Sequence, residues 1–190
     1  MHDFLTSPQQ SRQHEFREFA RRQVEPRAAA WDRAEQIPAD VVAQLAGAGF
    51  LGSTIPARYD GQGWDTVTFG LLHEAIGRSS PALNDLLTVQ AMVSMTIVKW
   101  GTDAQKARWL PPLARGEIIG AYALTEPGGG SALQSLQTKF VEAGHGNRFH
   151  LTGHKTWISF GQTAGVFLVI GNLGAAPLAC LVPGRRRLAV

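Results

Sequence analysis

Residues that could bind a cofactor are concentrated in two short segments of the second half of the sequence. The first runs Ala121-Tyr-Ala-Leu-Thr-Glu-Pro-Gly-Gly-Gly-Ser131, so three glycines and a serine follow a strand-like run. Glycine leaves backbone amides accessible to a phosphate or a flat cofactor, and the hydroxyls of Thr125 and Ser131 add hydrogen-bonding groups. No lysine follows as a P-loop requires, and the spacing differs from the G-x-G-x-x-G dinucleotide pattern. Taken alone, the segment also fits a flexible connection after a strand.

The second segment is Gly153-His-Lys-Thr-Trp157-Ile-Ser159, which follows a predicted β-hairpin. Its alternation predicts a strand, on which a tryptophan in a generic protein more often packs in a core than covers a cofactor. His150 and His154 are separated by a turn at Gly153 and have no third ligand nearby, so we predict no metal site. Ser131 lacks the G-x-S-x-G context of a serine hydrolase nucleophile.

Taken together, the two segments resemble the flavin-binding signatures of the acyl-CoA dehydrogenase family. The first is similar to the family's Tyr-x-x-Thr-Glu-Pro-x-x-Gly-Ser-Asp, and the second is similar to its Asn-Gly-x-Lys-x-Trp-Ile-Thr. Residues 56–63 resemble the family's Pro-x-x-Tyr-Gly-Gly-x-Gly loop, and residues 101–111 resemble the segment before its β domain. The resemblance covers essentially the whole chain and implies FAD as the cofactor.

The resemblance implies cofactor-binding roles for residues of the first segment. The hydroxyl of Thr125 would lie at the pyrimidine edge of FAD, with Tyr122 alongside the isoalloxazine ring on the same strand. Gly130 and Ser131 would lie close to the FAD pyrophosphate and the bound thioester. Ser131 is therefore a candidate for substrate binding as well as for cofactor binding.

In the second segment, the resemblance implies that Trp157 covers one face of the flavin. Ser159 stands where the family usually has threonine, and its hydroxyl would reach the N5 side of the ring. The implied reaction is α,β-dehydrogenation of an acyl thioester, in which a carboxylate removes the α-proton as hydride leaves the β-carbon for the flavin. The substrate would be acyl-CoA or an acyl group on an acyl carrier protein, and an electron-transfer acceptor or oxygen would reoxidise the flavin.

The family's catalytic base is the largest departure from this pattern. In the family it is a glutamate of a C-terminal four-helix domain, and we expect that domain to be absent because the sequence ends at Val190. We assign no catalytic residue, since four glutamates of the sequence match no family base: Glu74, Glu117, Glu126 and Glu142. Whether the truncated chain is an enzyme by itself stays open.

Two local departures leave the flavin contacts intact. Ala132 replaces the usual aspartate after Gly-Ser, and Phe160-Gly161-Gln162 replaces Asn-Gly. The Phe160-Gly161-Gln162 sequence is more similar to family members that act on acyl groups attached to acyl carrier proteins than to the enzymes of fatty-acid oxidation. The alternative to an oxidoreductase is a non-catalytic remnant or interaction module of the same fold. In either case we expect the chain to form a homo-oligomer or to associate with a complementary C-terminal half.

Composition restricts the other classes of function. The 190 residues are 44% hydrophobic and 17% charged, which is enough to bury a core. The formal net charge of +3 is accounted for by the arginine cluster 185–187. Because basic residues are not spread over a face of the protein, we predict no nucleic-acid binding.

The single cysteine, Cys180, excludes an internal disulfide framework and suits the cytoplasm. The start of the chain lacks a secretory pattern. The apolar run 86–98 is shorter than the ~20 residues of a membrane span and predicts a buried helix.

Capping signals predict five helices within a first domain at residues 1–116. The first begins at a Ser7/Gln10 capping box and weakens near Pro26. The second runs from Pro38 to 47–52, and the third covers 66–76 with an end at Gly77. The fourth runs from Pro81 to Gly101, and the fifth begins at a Thr102/Gln105 capping box and is bent or ended by the Pro111-Pro112 pair before Gly116.

Beyond Gly116 the sequence changes to short runs rich in valine, isoleucine, phenylalanine and threonine, which predict a β domain at 117–190. The runs are 118–124, 138–143, 147–152, 156–159, 166–170 and 178–182. The predicted fold class is α+β, with an all-α domain followed by an antiparallel, β-barrel-like domain that is incomplete relative to the family.

Overall fold

The computed structural model describes residues 4–132, 135–144 and 149–184. These residues divide into two compact units, of which the first ends at Ile118 and the second begins at Ile119. The first unit is helical and the second is built around a β-sheet, which confirms the predicted order of a helical domain and a β domain.

The helical unit contains six α-helices, a π-helical turn and a 3-10 turn among the described residues. They are α1 (Ser7–Phe19), the π-turn (Ala20–Val24), α2 (Glu25–Arg33), α3 (Ala39–Gly47), the 3-10 turn (Ala57–Tyr59), α4 (Thr66–Ser79), α5 (Pro81–Trp100) and α6 (Asp103–Ala114).

Side-chain caps explain where most of these helices begin. Thr102 and Gln105 form the predicted capping box of α6. The box of α1 is formed by Thr6 and Gln9, so its prediction at Ser7 and Gln10 was wrong by one residue. The reason is that Ser7 and Pro8 already lie in the first turn of α1, where proline loses no helical hydrogen bond.

The predicted weakening of the first helix near Pro26 corresponds to its division into α1, the π-turn and α2, and Pro26 itself lies in the first turn of α2. The predicted helix end at Gly77 was wrong. Helix α4 passes through Gly77 and ends at Ser79. A Cβ on Gly77 would lie 3.3 Å from the side chain of Asn84, so this glycine permits close packing within the helical unit instead of ending the helix.

Helix α5 is the central helix of the first unit, as the sequence predicts. It buries nine residues, among them Gln90, whose Nε2 donates hydrogen bonds to the carbonyls of Leu113 (2.8 Å) and Ile118 (3.3 Å). By length and composition α5 could cross a membrane, but half of its most apolar window is buried inside the protein. Burial of this kind is what the core helix of a folded domain shows.

The second unit contains a five-stranded sheet in which β4 is central. The strands are β1 (Gly120–Ala123), β2 (Lys139–Glu142), β3 (Phe149–Thr152), β4 (Val166–Leu173) and β5 (Ala176–Pro183). Strand β4 pairs in parallel with β1 and with β2, and antiparallel with β5 along its whole length. Strands β2 and β3 form an antiparallel hairpin.

This sheet is mixed and open, so the prediction of an antiparallel, barrel-like domain was wrong in both details. Both parallel pairings join β4 to strands far away in the sequence, and short apolar runs carry no signal for the direction of such distant pairing. One face of the sheet is apolar, where Ala123, Phe140 and Val169 are buried together.

The predicted strand at 156–159 was wrong as well. Its residues form an irregular segment, in which Trp157 and the following Phe160 have φ angles of 57° and 58°. These left-handed backbone conformations are incompatible with a β-strand and uncommon for bulky residues. The segment therefore presents its side chains in directions that strand alternation does not predict.

Candidate functional site

The two segments singled out from the sequence are joined directly in the structure. The backbone amide of Thr156 donates a hydrogen bond to the carbonyl oxygen of Thr125 over 3.0 Å. One residue earlier in each segment, Lys155 Nζ donates to the carbonyl of Leu124 over 2.8 Å. Neighbouring residues of one segment therefore hold neighbouring carbonyls of the other.

A buried carboxylate lies at the centre of this junction. Glu126 accepts hydrogen bonds from the amide of Gln137 (2.6 Å), from the amide (2.9 Å) and hydroxyl (2.5 Å) of Thr138, and from Lys155 Nζ (2.9 Å). The side chains of Lys155 and Glu126 are only 12% and 5% exposed. Glu126 thus connects the loop after β1, the residues just before β2 and the segment after β3.

Two opposing influences act on the pKa of Glu126. Burial raises the pKa, but the hydrogen bonds from Thr138, the Gln137 amide and Lys155 outweigh burial and lower it to about 2. Glu126 is therefore ionised at neutral pH, and its negative charge is balanced by the ammonium of Lys155. A carboxylate that holds its charge this strongly is a poor acceptor for a substrate proton.

Thr138 reaches Glu126 because glycine on the neighbouring backbone lets it lie close. A Cβ built on Gly153 would lie 2.3 Å from Thr138 Oγ1 and 2.9 Å from its Cα. Any side chain at Gly153 would therefore push Thr138 away from Glu126. This glycine belongs to the second sequence segment, so its backbone completes the same junction.

The residues predicted from the first segment lie near one another, with one correction. Tyr122 is half-buried within β1, but Thr125 lies two residues beyond the end of that strand, so the two do not share it. A Cβ on Gly130 would lie 3.3 Å from Thr125 Oγ1, which places these two residues in contact. Ser131 is exposed.

The residues predicted from the second segment adjoin the first through Thr156. Trp157 is 92% exposed and has a left-handed backbone, so its ring stands away from the protein core. Ser159 is half-buried. The hydroxyl of Thr156, between Lys155 and Trp157, is buried without a hydrogen-bond partner among the described residues. The segment therefore combines an exposed aromatic ring with a buried hydroxyl that has no hydrogen-bond partner among the described residues.

An open pocket of about 370 Å³ lies on the apolar face of the sheet. Ala123, Phe167 and Val169 line it together with the polar side chains of Thr138 and Lys155. None of the six predicted site residues is among the described residues that line it. Within the described ranges, no group of three or more histidine, cysteine, aspartate or glutamate side chains could hold a metal ion.

The sequence analysis missed the roles of Glu126, Thr138 and Lys155. A signal for the ion pair was present, because Glu126 is the single charged residue between 118 and 138, and Lys155 is the single charged residue between 149 and 184. Lone charges of opposite sign in two otherwise neutral runs indicate a buried pair. Nothing comparable in the sequence indicates Thr138.

Comparison with known proteins agrees with the order of the two units. The acyl-CoA dehydrogenase N-terminal domain matches residues 6–117, and the acyl-CoA dehydrogenase middle domain matches residues 121–185. A helical unit and an open mixed sheet, joined in this order, are thus the first two domains of a flavoenzyme class. The chain belongs to the acyl-CoA dehydrogenase family.

Individual relatives are longer than this chain. It is 38% identical over 159 residues to (2S)-methylsuccinyl-CoA dehydrogenase of Cereibacter sphaeroides, a match that covers 83% of this chain and 29% of the relative. It is 33% identical to the mitochondrial isobutyryl-CoA dehydrogenase of Dictyostelium discoideum, covering 90% and 41%. The structure of a glutaryl-CoA dehydrogenase from Mycobacterium smegmatis in complex with FADH2 superposes with a TM-score of 0.89 at 27% identity, covering 94% and 46%. The chain therefore spans less than half the length of these relatives.

Proposed function

We propose that this chain binds FAD and forms the flavin-binding part of an oxidoreductase that dehydrogenates acyl thioesters. The observation that carries the proposal is the hydrogen bond between Thr156 and Thr125, which brings the two flavin-like segments into one site. The names of the relatives, and the FADH2 in the complex of the structural neighbour, support the same cofactor and reaction class.

Three features of the described residues fit a flavin nucleotide. Gly130 lies against Thr125 without a Cβ, so its backbone is accessible to a phosphate group. The ring of Trp157 is free to stack on a flat ligand. The buried hydroxyl of Thr156 lacks a partner among the described residues and can pair with a polar ligand atom.

Each site residue then has a physical task. Thr125 and Ser159 would supply hydroxyl hydrogen bonds to the polar edge of the ring, and Tyr122 would flank it. Trp157 would cover one ring face and exclude water from it. Gly130 and Ser131 would receive the pyrophosphate and the thioester end of the substrate. Bound FAD supplies the hydride acceptor for the dehydrogenation.

No described carboxylate is proposed as the catalytic base. Glu126 is the one carboxylate within the two segments, and its low pKa together with its four hydrogen bonds keeps it from accepting a proton. We therefore propose that a base outside the described residues completes the active site. The proposed electron acceptor is an electron-transfer protein or oxygen.

The proposal leaves two carriers for the acyl group of the substrate, which are CoA and an acyl carrier protein. The relatives reported above are named for CoA thioesters, which supports acyl-CoA as the substrate. The Phe160-Gly161-Gln162 variant supports an acyl carrier protein instead. Binding of an acyl-CoA and of the matching acyl carrier protein to the flavin-loaded protein, measured by calorimetry, distinguishes the two carriers.

The proposal is tested by titrating the purified chain with FAD and recording visible absorption and flavin fluorescence. We expect near-stoichiometric binding and quenching of the flavin by the tryptophan ring. Trp157→Leu should relieve the quenching, whereas Trp100→Leu, at a 70% exposed tryptophan of the helical unit, should leave it unchanged. A folded protein that binds no FAD would favour a non-catalytic interaction module.

A further inference from the structure

We infer that Lys155 is a positioning residue for the flavin, because its ammonium, held by Glu126, fixes the Leu124–Thr125 backbone against the segment that carries Trp157. This inference rests on the proposed function. It concerns two residues that the site prediction left without a role. Neither is proposed to touch the reacting atoms.

The first support is that two consecutive carbonyls are held by two consecutive residues. Lys155 Nζ binds the carbonyl of Leu124 at 2.8 Å, and the amide of Thr156 binds the carbonyl of Thr125 at 3.0 Å. Successive carbonyls of an extended chain point in different directions, so fixing both sets the orientation of the Thr125 peptide. That orientation sets the direction of the Thr125 Cα–Cβ bond and so limits the positions that the hydroxyl can reach.

The second support is that the ammonium is itself held in place. Glu126 Oε1 lies 2.9 Å from Lys155 Nζ, and the other hydrogen bonds of this carboxylate come from Gln137 and Thr138, which immediately precede β2. A lysine on a flexible stem would otherwise sample many rotamers. The carboxylate thus ties Lys155 to the sheet, and Lys155 ties the first segment to the second.

The third support is energetic. A buried ion pair costs desolvation free energy, and an apolar pair of similar size often gives equal or greater stability. The side chains of Lys155 and Glu126 are 12% and 5% exposed, so this cost applies here. The stability of the sheet therefore does not by itself require an ion pair at this place. Holding the carbonyl of Leu124, however, requires a hydrogen-bond donor that reaches it, and Lys155 Nζ is that donor.

The test compares FAD binding by the whole chain carrying Lys155→Met with binding by the wild type. Methionine keeps much of the apolar stem and removes the donor, so we expect the Kd for FAD to rise by about tenfold or more. The bound flavin should also lose its quenching by Trp157, and the Thr156 amide of the flavin-free protein should exchange with solvent faster. Lys139→Met, at an exposed lysine of β2, is the matched control and should change none of these.

Lys155→Met alone leaves the buried charge of Glu126 without its partner and could unfold the protein. The second variant, Glu126→Gln/Lys155→Met, removes both charges and avoids this problem. We expect it to keep the circular dichroism of the wild type yet bind FAD as weakly as Lys155→Met. A folded variant that binds and quenches FAD like the wild type overturns the inference and leaves the proposed function standing. Loss of the fold in both variants also overturns it, because the pair would then be structural. A wild type that binds no FAD overturns the proposed function and this inference together.

Discussion

The backbone amide of Thr156 donates to the carbonyl oxygen of Thr125 over 3.0 Å and thereby joins the segment after β3 to the segment after β1. The bond forms outside the strand ladders, so regular sheet pairing does not hold it. It depends on the neighbouring contacts of Lys155 with Glu126 and of Gly153 with Thr138. Changes at these residues should therefore affect the junction before they affect the strands.

Gly153→Ala is expected to destabilise the sheet unit by about 2 kcal/mol, the usual cost of overpacking. The new Cβ would lie 2.9 Å from the Cα of Thr138, and backbone cannot rotate away as a flexible side chain does. Urea denaturation followed by tryptophan fluorescence measures the loss. Gly128→Ala is the control, because a Cβ there meets no atom within 4 Å. Equal stability of the two variants would contradict the prediction.

The ionised Glu126 should make the protein sensitive to acid. Its pKa is about 2 when folded, against an ordinary value of 4.5. A carboxyl with a lowered pKa contributes stability that is fully present above pH 4.5 and is lost as the pH falls toward 2. The contribution at neutral pH is on the order of 3 kcal/mol.

Glu126→Gln tests this dependence. The variant should be less stable than the wild type at neutral pH, and the difference should shrink as the pH falls below about 4.5. Denaturation curves recorded at several pH values between about 3 and 7 give the unfolding free energy of each protein as a function of pH. Parallel curves for the two proteins across that range would show that Glu126 does not carry the effect.

Elements set by local signals could be predicted from the sequence, and elements set by distant contacts could not. The capping boxes lie within four residues, so the helix at Asp103 was found directly and the helix at Ser7 was found one residue late. The parallel pairing of β1 with β4 joins residues that only the folded chain brings together. Hydrophobic runs show that such strands exist without showing their direction.

Two features of the candidate site also depend on distant contacts and could not be predicted from the sequence. Trp157 was assigned to a strand because its neighbours alternate, but its φ of 57° is set by surroundings that a sequence pattern does not describe. The contact between Gly153 and Thr138 is also a property of the folded chain. The roles of the six predicted site residues stay predictions until flavin binding is measured.

His73 should make the helical unit more stable as the pH rises through the mildly acidic range. Burial lowers the pKa of His73 below its ordinary 6.5, although the hydrogen bond with Asn84 opposes this. Its Nδ1 lies 2.7 Å from Asn84 Oδ1, and its Nε2 is buried without a partner among the described residues. The unfolded chain therefore binds a proton more readily, and stability is lost as the pH falls below 6.5.

Replacement of His73 by glutamine should remove that dependence. The slope of unfolding free energy against pH, up to about 1.4 kcal/mol per pH unit, should flatten between about pH 5 and 7 in the variant. Far-UV circular dichroism follows the helical unit during denaturation. A variant at His73 with an unchanged slope would refute the assignment.

Cys180 should react slowly with thiol reagents while the sheet is folded. Burial raises the pKa of its thiol, with partial compensation by the Leu181 amide, so little reactive thiolate exists at neutral pH. The residue lies on β5 opposite Val169 and packs in the apolar cluster of the sheet. Iodoacetamide alkylation, followed by mass spectrometry, should be about tenfold slower in buffer than in urea. Val169→Ala loosens this cluster and should speed the reaction in buffer, whereas equal rates in buffer and urea would show that the thiol is not protected by folding.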